Sequence, residues 1–503
     1  MLLIKVGELK WLKLFGHFSI GLSFLFTSLG AETFKDFKSI AVKPTGGSSF
    51  FLNQQWNTYE PMSDNVIYEV KKPKIISSLR QKKIKAVGPK VRIVISKEKI
   101  YEQSIRKLVE KDIVIDFFST PLSFNIPDRL QNAKFYPQSQ KGIGNFFSTA
   151  SSTEYAYLLS EIEQLKDEMN LNDWGLYLLI SKISDEIFLE RDNSKLFTWF
   201  MLNKLGYKVR AGILKKHIAL IFQTKQSLNY TPRYNIDDKD FYILDSSTER
   251  GVIYTYDQDY PDANNSFDLS LEKLPKLSLD IQEKDIKFKE YSNEYIIKYK
   301  YNQNLIDFMA TYPQAQSDVF FKAPLDDISY QSIAKSLKEY LDRKKASTAL
   351  NFVLHFVQNA FVYQSDEEQF KKEKFMFAQE TLYYDKSDSE DRAVLFSYII
   401  KKFFSFNLVG VVYKDHMSIA LYIPIKGDSV QFGSRKYIVA DPTYKNANVG
   451  QGISKYKFKK PKIKSLKEFT LQSGRHLYSK DLSVEAVNTM ESCYTDGGKI
   501  TIS

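Results

Sequence analysis

Cysteine is almost absent from this chain: Cys493 is the single one among 503 residues. That excludes an intrachain disulfide and any disulfide-built scaffold. Histidine is nearly as scarce, at positions His17, His217, His355, His416 and His476, and none of these stands at a zinc-ligand spacing. Neither a metal nor another cofactor is expected. Long apolar runs are also lacking, because the uncharged stretch Leu14 to Leu29 has about 16 residues, short of the ~20 that a spanning helix needs. Apolar residues nevertheless make up 43% of the chain. That content excludes collagen-like, disordered and coiled-coil classes, and the length allows three or four domains with buried cores.

The N-terminus has the pattern of an export signal. Lys5, Lys10 and Lys13 precede the uncharged stretch, which ends in Ser28-Leu29-Gly30-Ala31, residues small enough for a signal peptidase. Cleavage near Ala31 and a periplasmic or envelope-associated protein are expected, an uncleaved anchor being the alternative. The formal charge of +11 is modest and gathers in two runs, Lys71 to Arg92 and Lys455 to Lys467. An exported protein meets no genome, so nucleic acid is not expected as a partner. The runs suit solvated faces or attraction to an anionic envelope surface.

Hydrophobic periodicity divides the rest. Up to about Ala150 the pattern leans to β structure, as in Val91 to Ile95 and Ile113 to Phe118, with one helix near 101–111. Ser151 and Glu154 have capping-box spacing before a helix that carries Leu158, Ile162, Leu165 and Met169. A second helix is expected from Asn172-Asp173, and a third from Asp192-Asn193 to Gly206. Strands at 208–213, 217–222 and 241–244 follow. The same order returns downstream: a helix over 350–361, a long loop, a helix from Ser389 to Phe403, then strands at 408–412, 416–423 and 436–440. A shift of 199 positions lays His217 on His416, and a three-residue gap then lays Asp245 on Asp441. Two copies of one module are expected, with alternating Tyr295 to Tyr299 marking a β-rich piece between them.

The second copy gathers chemistry. Ser389 opens a helix, His416 opens a strand 27 residues on, and Asp441 ends a strand 25 residues after that. A helix N-terminus offers a nucleophile positive potential and backbone N–H groups that can bind an oxyanion. The histidine can take the hydroxyl proton, and the aspartate can fix its tautomer.

The words around these residues are more specific than their spacing. Asp388-Ser389-Glu390-Asp391-Arg392, then His416, then Ala440-Asp441-Pro442-Thr443 resemble the bacterial transglutaminase-like branch of the papain-like superfamily. The resemblance is strongest over about 325–450 and implies that Ser389 stands where the family has its catalytic cysteine. It implies further that His416 and Asp441 stand where the family has its catalytic histidine and orienting acid. The fold class implied is α+β, with two tandem transglutaminase-like modules, each of helices plus an antiparallel sheet, and β-rich accessory domains. The expected division is 1–31 signal, 32–150 β-rich N-terminal domain, 151–265 degenerate module, 266–323 β-rich connector, 324–465 second module and 466–503 tail.

The departure falls on the reacting atom. A thiol of pKa ~8.5 is readily held as thiolate beside histidine, whereas a hydroxyl must lose its proton during attack and reaches less far. Lys414-Asp415 also replaces the Pro-Gly that precedes the family histidine, and Asp415 biases His416 toward its protonated form. In the first module Glu190 falls opposite Ser389, leaving His217 and Asp245 without a nucleophile, as a structural pair. Asp388, Glu390, Asp391 and Arg392 read either as cleft supports or as first-turn charges favoured by the dipole. Gln358 and His355 read as packed residues in preference to an oxyanion donor and a ligand. Residues 364–387 read as a cleft rim or lid. Three functions follow: a non-catalytic protein binding a peptide, an amide-bearing cell-wall polymer or a partner protein through the cleft; a serine-dependent hydrolase or acyltransferase; and an envelope scaffold.

Overall fold

The computed structural model describes residues 37–45, 112–244 and 250–466. The expected signal, the first basic run, the helix near 101–111, Asp245 and Cys493 lie outside the described residues. What is described is a mixed α+β structure with mainly antiparallel sheets.

Strand β1 (Ser39–Val42) comes first, then hairpin β2 (Ile113–Phe117) and β3 (Thr120–Phe124). Helices α1 (Gln140–Ser151), α2 (Ala156–Glu168), α3 (Asp173–Ile187) and α4 (Arg191–Lys204) follow. Asn172 caps α3 by accepting from the Gly175 N–H, and α4 ends two residues before Gly206, whose φ of 84° is left-handed. The capping box expected at Ser151 does not form. Phe146, Phe147 and Ala150 bury their apolar face, so α1 runs on to Ser151 and α2 starts only at Ala156. Burial of a face outweighs a local capping signal.

The first module then lays down β4 (Val209–Leu214), β5 (His217–Gln223), β6 (Arg233–Ile236), β7 (Lys239–Ile243) and β8 (Ile253–Tyr256). After it come the hairpin β9 (Ile281–Glu290) and β10 (Asn293–Asn302), then α5 (Gln303–Ala310), α6 (Asp318–Lys322), α7 (Asp327–Leu341) and α8 (Ala346–Asn359). The expected β-rich connector is therefore β only in its middle, and its last third is helical. Its hairpin lies on α7, with the Lys298 and Lys300 N–H groups donating to Ser336 and Ser332. Short elements β11 (Val362–Tyr363), α9 (Asp366–Phe370), α10 (Ala378–Tyr383) and β12 (Lys386–Ser387) lead into α11 (Ser389–Phe404). The second sheet is β13 (Leu408–Val412), β14 (Met417–Leu421), β15 (Ser429–Phe432), β16 (Arg435–Ala440) and β17 (Lys462–Ser465).

The two sheets share one strand order. The first runs β8-β4-β5-β7-β6 and the second β17-β13-β14-β16-β15. Their registers also coincide: Val209 faces Phe222 as Leu408 faces Leu421, which is the 199-residue shift, and Phe222 faces Tyr242 as Leu421 faces Ile438. A slip by one residue would exchange the two faces of either sheet, so matching register preserves matching faces.

The first sheet has a sixth strand. β1 pairs with β8 at one edge, while Thr45 exchanges hydrogen bonds with Arg233 and Pro44 bridges Tyr234 on β6 at the other. Residues 39–45 thus close the sheet around Ala219, Ile221, Tyr234, Ile243 and Ile253, with Ile40 and Val42 packed on them. Residues 46–111 of the expected N-terminal domain lie outside the described residues; of its described parts, 39–45 complete the first sheet, and Ile115, Phe117 and Phe124 join the main core. The second sheet has no counterpart of β1 in the described residues.

Candidate functional site

Asp388 caps α11: its Oδ1 accepts from the N–H groups of Glu390 and Asp391, and its own N–H donates to Asp391 Oδ2 at 3.2 Å. The capping box fixes Ser389 as the first helical residue and turns its side chain toward β14. Ser389 Oγ accepts from the Met417 N–H at 3.3 Å and donates to Glu390 Oε2 at 2.7 Å. His416 Nε2 lies 2.7 Å from Asp441 Oδ2, and Asp441 Oδ1 accepts from the Thr443 and Tyr444 N–H groups. The three residues read from the sequence are therefore brought together, and all are buried. Two features differ from a primed nucleophile. The hydroxyl proton of Ser389 points to Glu390 and not to the imidazole, and the N–H groups of Glu390 and Asp391 are engaged by Asp388.

The turn ahead of the histidine is tight despite its Lys414-Asp415 sequence, since the Tyr413 N–H donates to the His416 carbonyl at 2.8 Å. Tyr456 stacks on the imidazole at 5.0 Å between ring centres and 5° between planes, and Tyr413 stacks on Tyr456. Burial alone would lower the pKa of His416, but Asp441, with help from Glu390 and Asp415, raises it above the ordinary value. The imidazole is thereby biased toward its charged form, which is the wrong bias for a general base.

The supporting residues hold the frame. Arg392 donates to Ser387 Oγ and to the carbonyls of Gln358 and Phe361, and burial lowers its pKa to about 10. Gln358 donates to the carbonyls of Asp441 and Ala447, at 2.9 and 3.0 Å, so it anchors the aspartate's backbone and is no oxyanion donor. His355 is packed, its Nδ1 2.6 Å from Glu290 on the β9–β10 hairpin. Residues 364–387, expected as a cleft rim or lid, form a packed insertion: Met376, Phe377, Ala378 and Leu382 are buried, and Lys374 forms a buried ion pair with Glu380.

Sequence reasoning missed a cluster that the insertion creates. Asp366, Asp388 and Asp391 bring carboxylate oxygens within 4.8 Å of one another, close enough to hold a cation. Backbone N–H groups of Lys374 and Met376 donate to Asp366 and Asp391. Burial first, and the neighbouring acids second, push Asp366 up to about 9 and Asp388 well above the carboxylate range. Burial also lifts Asp391 to about 7, against its backbone hydrogen bonds. The only signal in sequence was Asp366 itself, far from the motif along the chain.

In the first module the described partner of His217 is Asp192, and Glu190, the residue opposite Ser389, does not take that place. Asp192 accepts from the Ile218 N–H, the counterpart of Met417, and lies 3.3 Å from His217 Nδ1. Glu190 instead accepts from Asn193 Nδ2. The His217 side chain is 80% exposed, against 6% for His416, and Asp245, its expected partner, lies outside the described residues. Trp199 and Phe200 fill the core.

In comparisons with known protein families, curated proteins and solved structures, the chain matches none. Among the described residues no helix is long and apolar enough to cross a membrane.

Proposed function

We propose that the chain is an exported, transglutaminase-like protein whose second module keeps the nucleophile–histidine–aspartate frame without its catalysis. It uses the surface around Ser389 to bind a peptide, an amide-bearing cell-wall polymer or a partner protein. The observation that carries this reading is the direction of the Ser389 hydroxyl, which donates to Glu390 while the imidazole is engaged by Asp441. Attack would require breaking that bond, freeing the helix N–H groups from Asp388 and deprotonating a histidine biased toward its charged form. The His416–Asp441 pair favours a second reading, a serine-dependent amide or ester hydrolase or acyltransferase, because its Nε2 contact leaves Nδ1 for the hydroxyl.

Labelling with a fluorophosphonate separates the two. The non-catalytic reading expects wild-type protein to stay unlabelled and Ser389→Cys to gain an iodoacetamide-reactive thiol beyond Cys493. Fluorophosphonate labelling of wild type that disappears in Ser389→Ala would establish the serine enzyme instead.

A further inference from the structure

The outer face of the second sheet holds a cavity of about 400 Å³, within the range typical of small-molecule sites. Its origin is visible by comparison with the first module. Matched register sets Ser418 at the place of Ala219, Val430 at that of Tyr234 and Val439 at that of Ile243. In the first module those three residues form a closed core with Ile40 and Val42 on top. In the second, valines replace the tyrosine and the isoleucine, a hydroxyl is added at Ser418, and no strand covers the space among the described residues.

The lining has a defined chemistry. Val430, Val439 and Ile463 supply apolar walls. Ser418 is buried, and its Oγ has no hydrogen-bond partner, an arrangement that is unfavourable unless a ligand satisfies it. At the rim Lys457 is paired with Asp428, whereas Lys459 and Lys460 make no ion pair with a described carboxylate. A pairing strand is disfavoured here: the stretch that pairs with β1 in the first module corresponds to 461–464, where Pro461 lacks an N–H and lysines flank it.

We infer that this cavity binds a small anionic amphiphile, its apolar body against the valines and Ser418 and its charged head at Lys459 and Lys460. The cavity lies on the sheet face opposite α11; Asp441, Tyr413 and Tyr456 of the His416 site line one end of it, and Ser389 does not.

Decanoate and decan-1-ol, titrated by calorimetry into the full chain, test it. Decanoate should bind saturably at one site, at least ten-fold more tightly than decan-1-ol. Val430→Tyr, which installs the first module's residue, should abolish binding, and Lys459→Ala with Lys460→Ala should bring decanoate to the level of the alcohol. Val439→Phe provides a second filler should the tyrosine variant fail to fold. Decanoate that does not saturate, binds either filled variant unchanged, or binds no better than the alcohol would overturn the inference. So would an extended acidic peptide that binds where decanoate does not. Fluorophosphonate labelling is a separate readout, so failure here leaves the reading of Ser389 intact.

Discussion

His416 and Asp441 show how a buried pair sets its own pH dependence. Both side chains are almost wholly buried and 2.7 Å apart, so removing one leaves the other's charge without a partner. His416→Ala should cost roughly 3–5 kcal/mol in chemical denaturation. The folded-state pKa of His416 is raised, so its contribution is fully present below the ordinary value of 6.5 and is lost as pH climbs through the raised one. The penalty of His416→Ala should therefore be larger at pH 6 than at pH 9, and an equal penalty at both would refute the pairing. Asp366 follows the same sign for a different reason. Its pKa rises from 3.8 to about 9, so its ionisation opposes the folded state over that window. Asp366→Asn keeps an acceptor for the Lys374 N–H and removes the charge. Its melting temperature should exceed wild type by about 2–4 °C at pH 8 and match it at pH 4, an advantage equivalent to about 1 kcal/mol.

At the scale of elements, the two modules differ most where their sheets are most alike. Each joins its first two strands by a two-residue turn, Lys215-Lys216 in one and Lys414-Asp415 in the other. Lys215 and Lys216 have φ of 48° and 79°, the left-handed pair of a type I′ turn, which suits Asn-Gly and strains lysine. Replacing them by Asn and Gly should stabilise the protein by about 0.5–1 kcal/mol, measured by denaturant titration. The same replacement at Lys414-Asp415 should bring no gain, because neither residue is left-handed and Asp415 would lose its 2.6 Å pair with Lys455. The sequence carried the hairpin positions, since alternation and the repeated His and Asp depend on a period of two that register must respect. It did not carry β6, β8, β15 and β17, short strands whose burial arises only once neighbours are in place. Ser389, His416 and Asp441 were legible because a motif surrounds each. The Glu390 contact, the Asp388 cap and the Asp366 cluster were not, because each depends on where an oxygen points or on distant chain segments meeting.

For the whole molecule, the two modules are riveted through the segment between them. Tyr312 accepts from Asn172 Nδ2 and donates to the Leu269 carbonyl, both on the first-module side, and its ring meets Phe377 of the second module's insertion at 5.2 Å. Trp174 donates to Thr311, and Lys464 on β17 pairs with Asp318. The main core runs without a break from Ile113 to Leu466, so apolar surface exposed by opening one module belongs partly to the other. Interfaces inside a chain allow independent domains only when they are small and polar, and this one is neither. Calorimetry should therefore record one cooperative unfolding transition for the described body. Trp199 is fully buried in the first module, and Trp199→Ala should remove roughly 3–5 kcal/mol there. A shared core requires the whole transition to move down together, including the protection of amides in β14 and β16 followed by hydrogen exchange. Two separate transitions, with β14 and β16 unaffected by the substitution, would mean that the repeated modules fold as independent units.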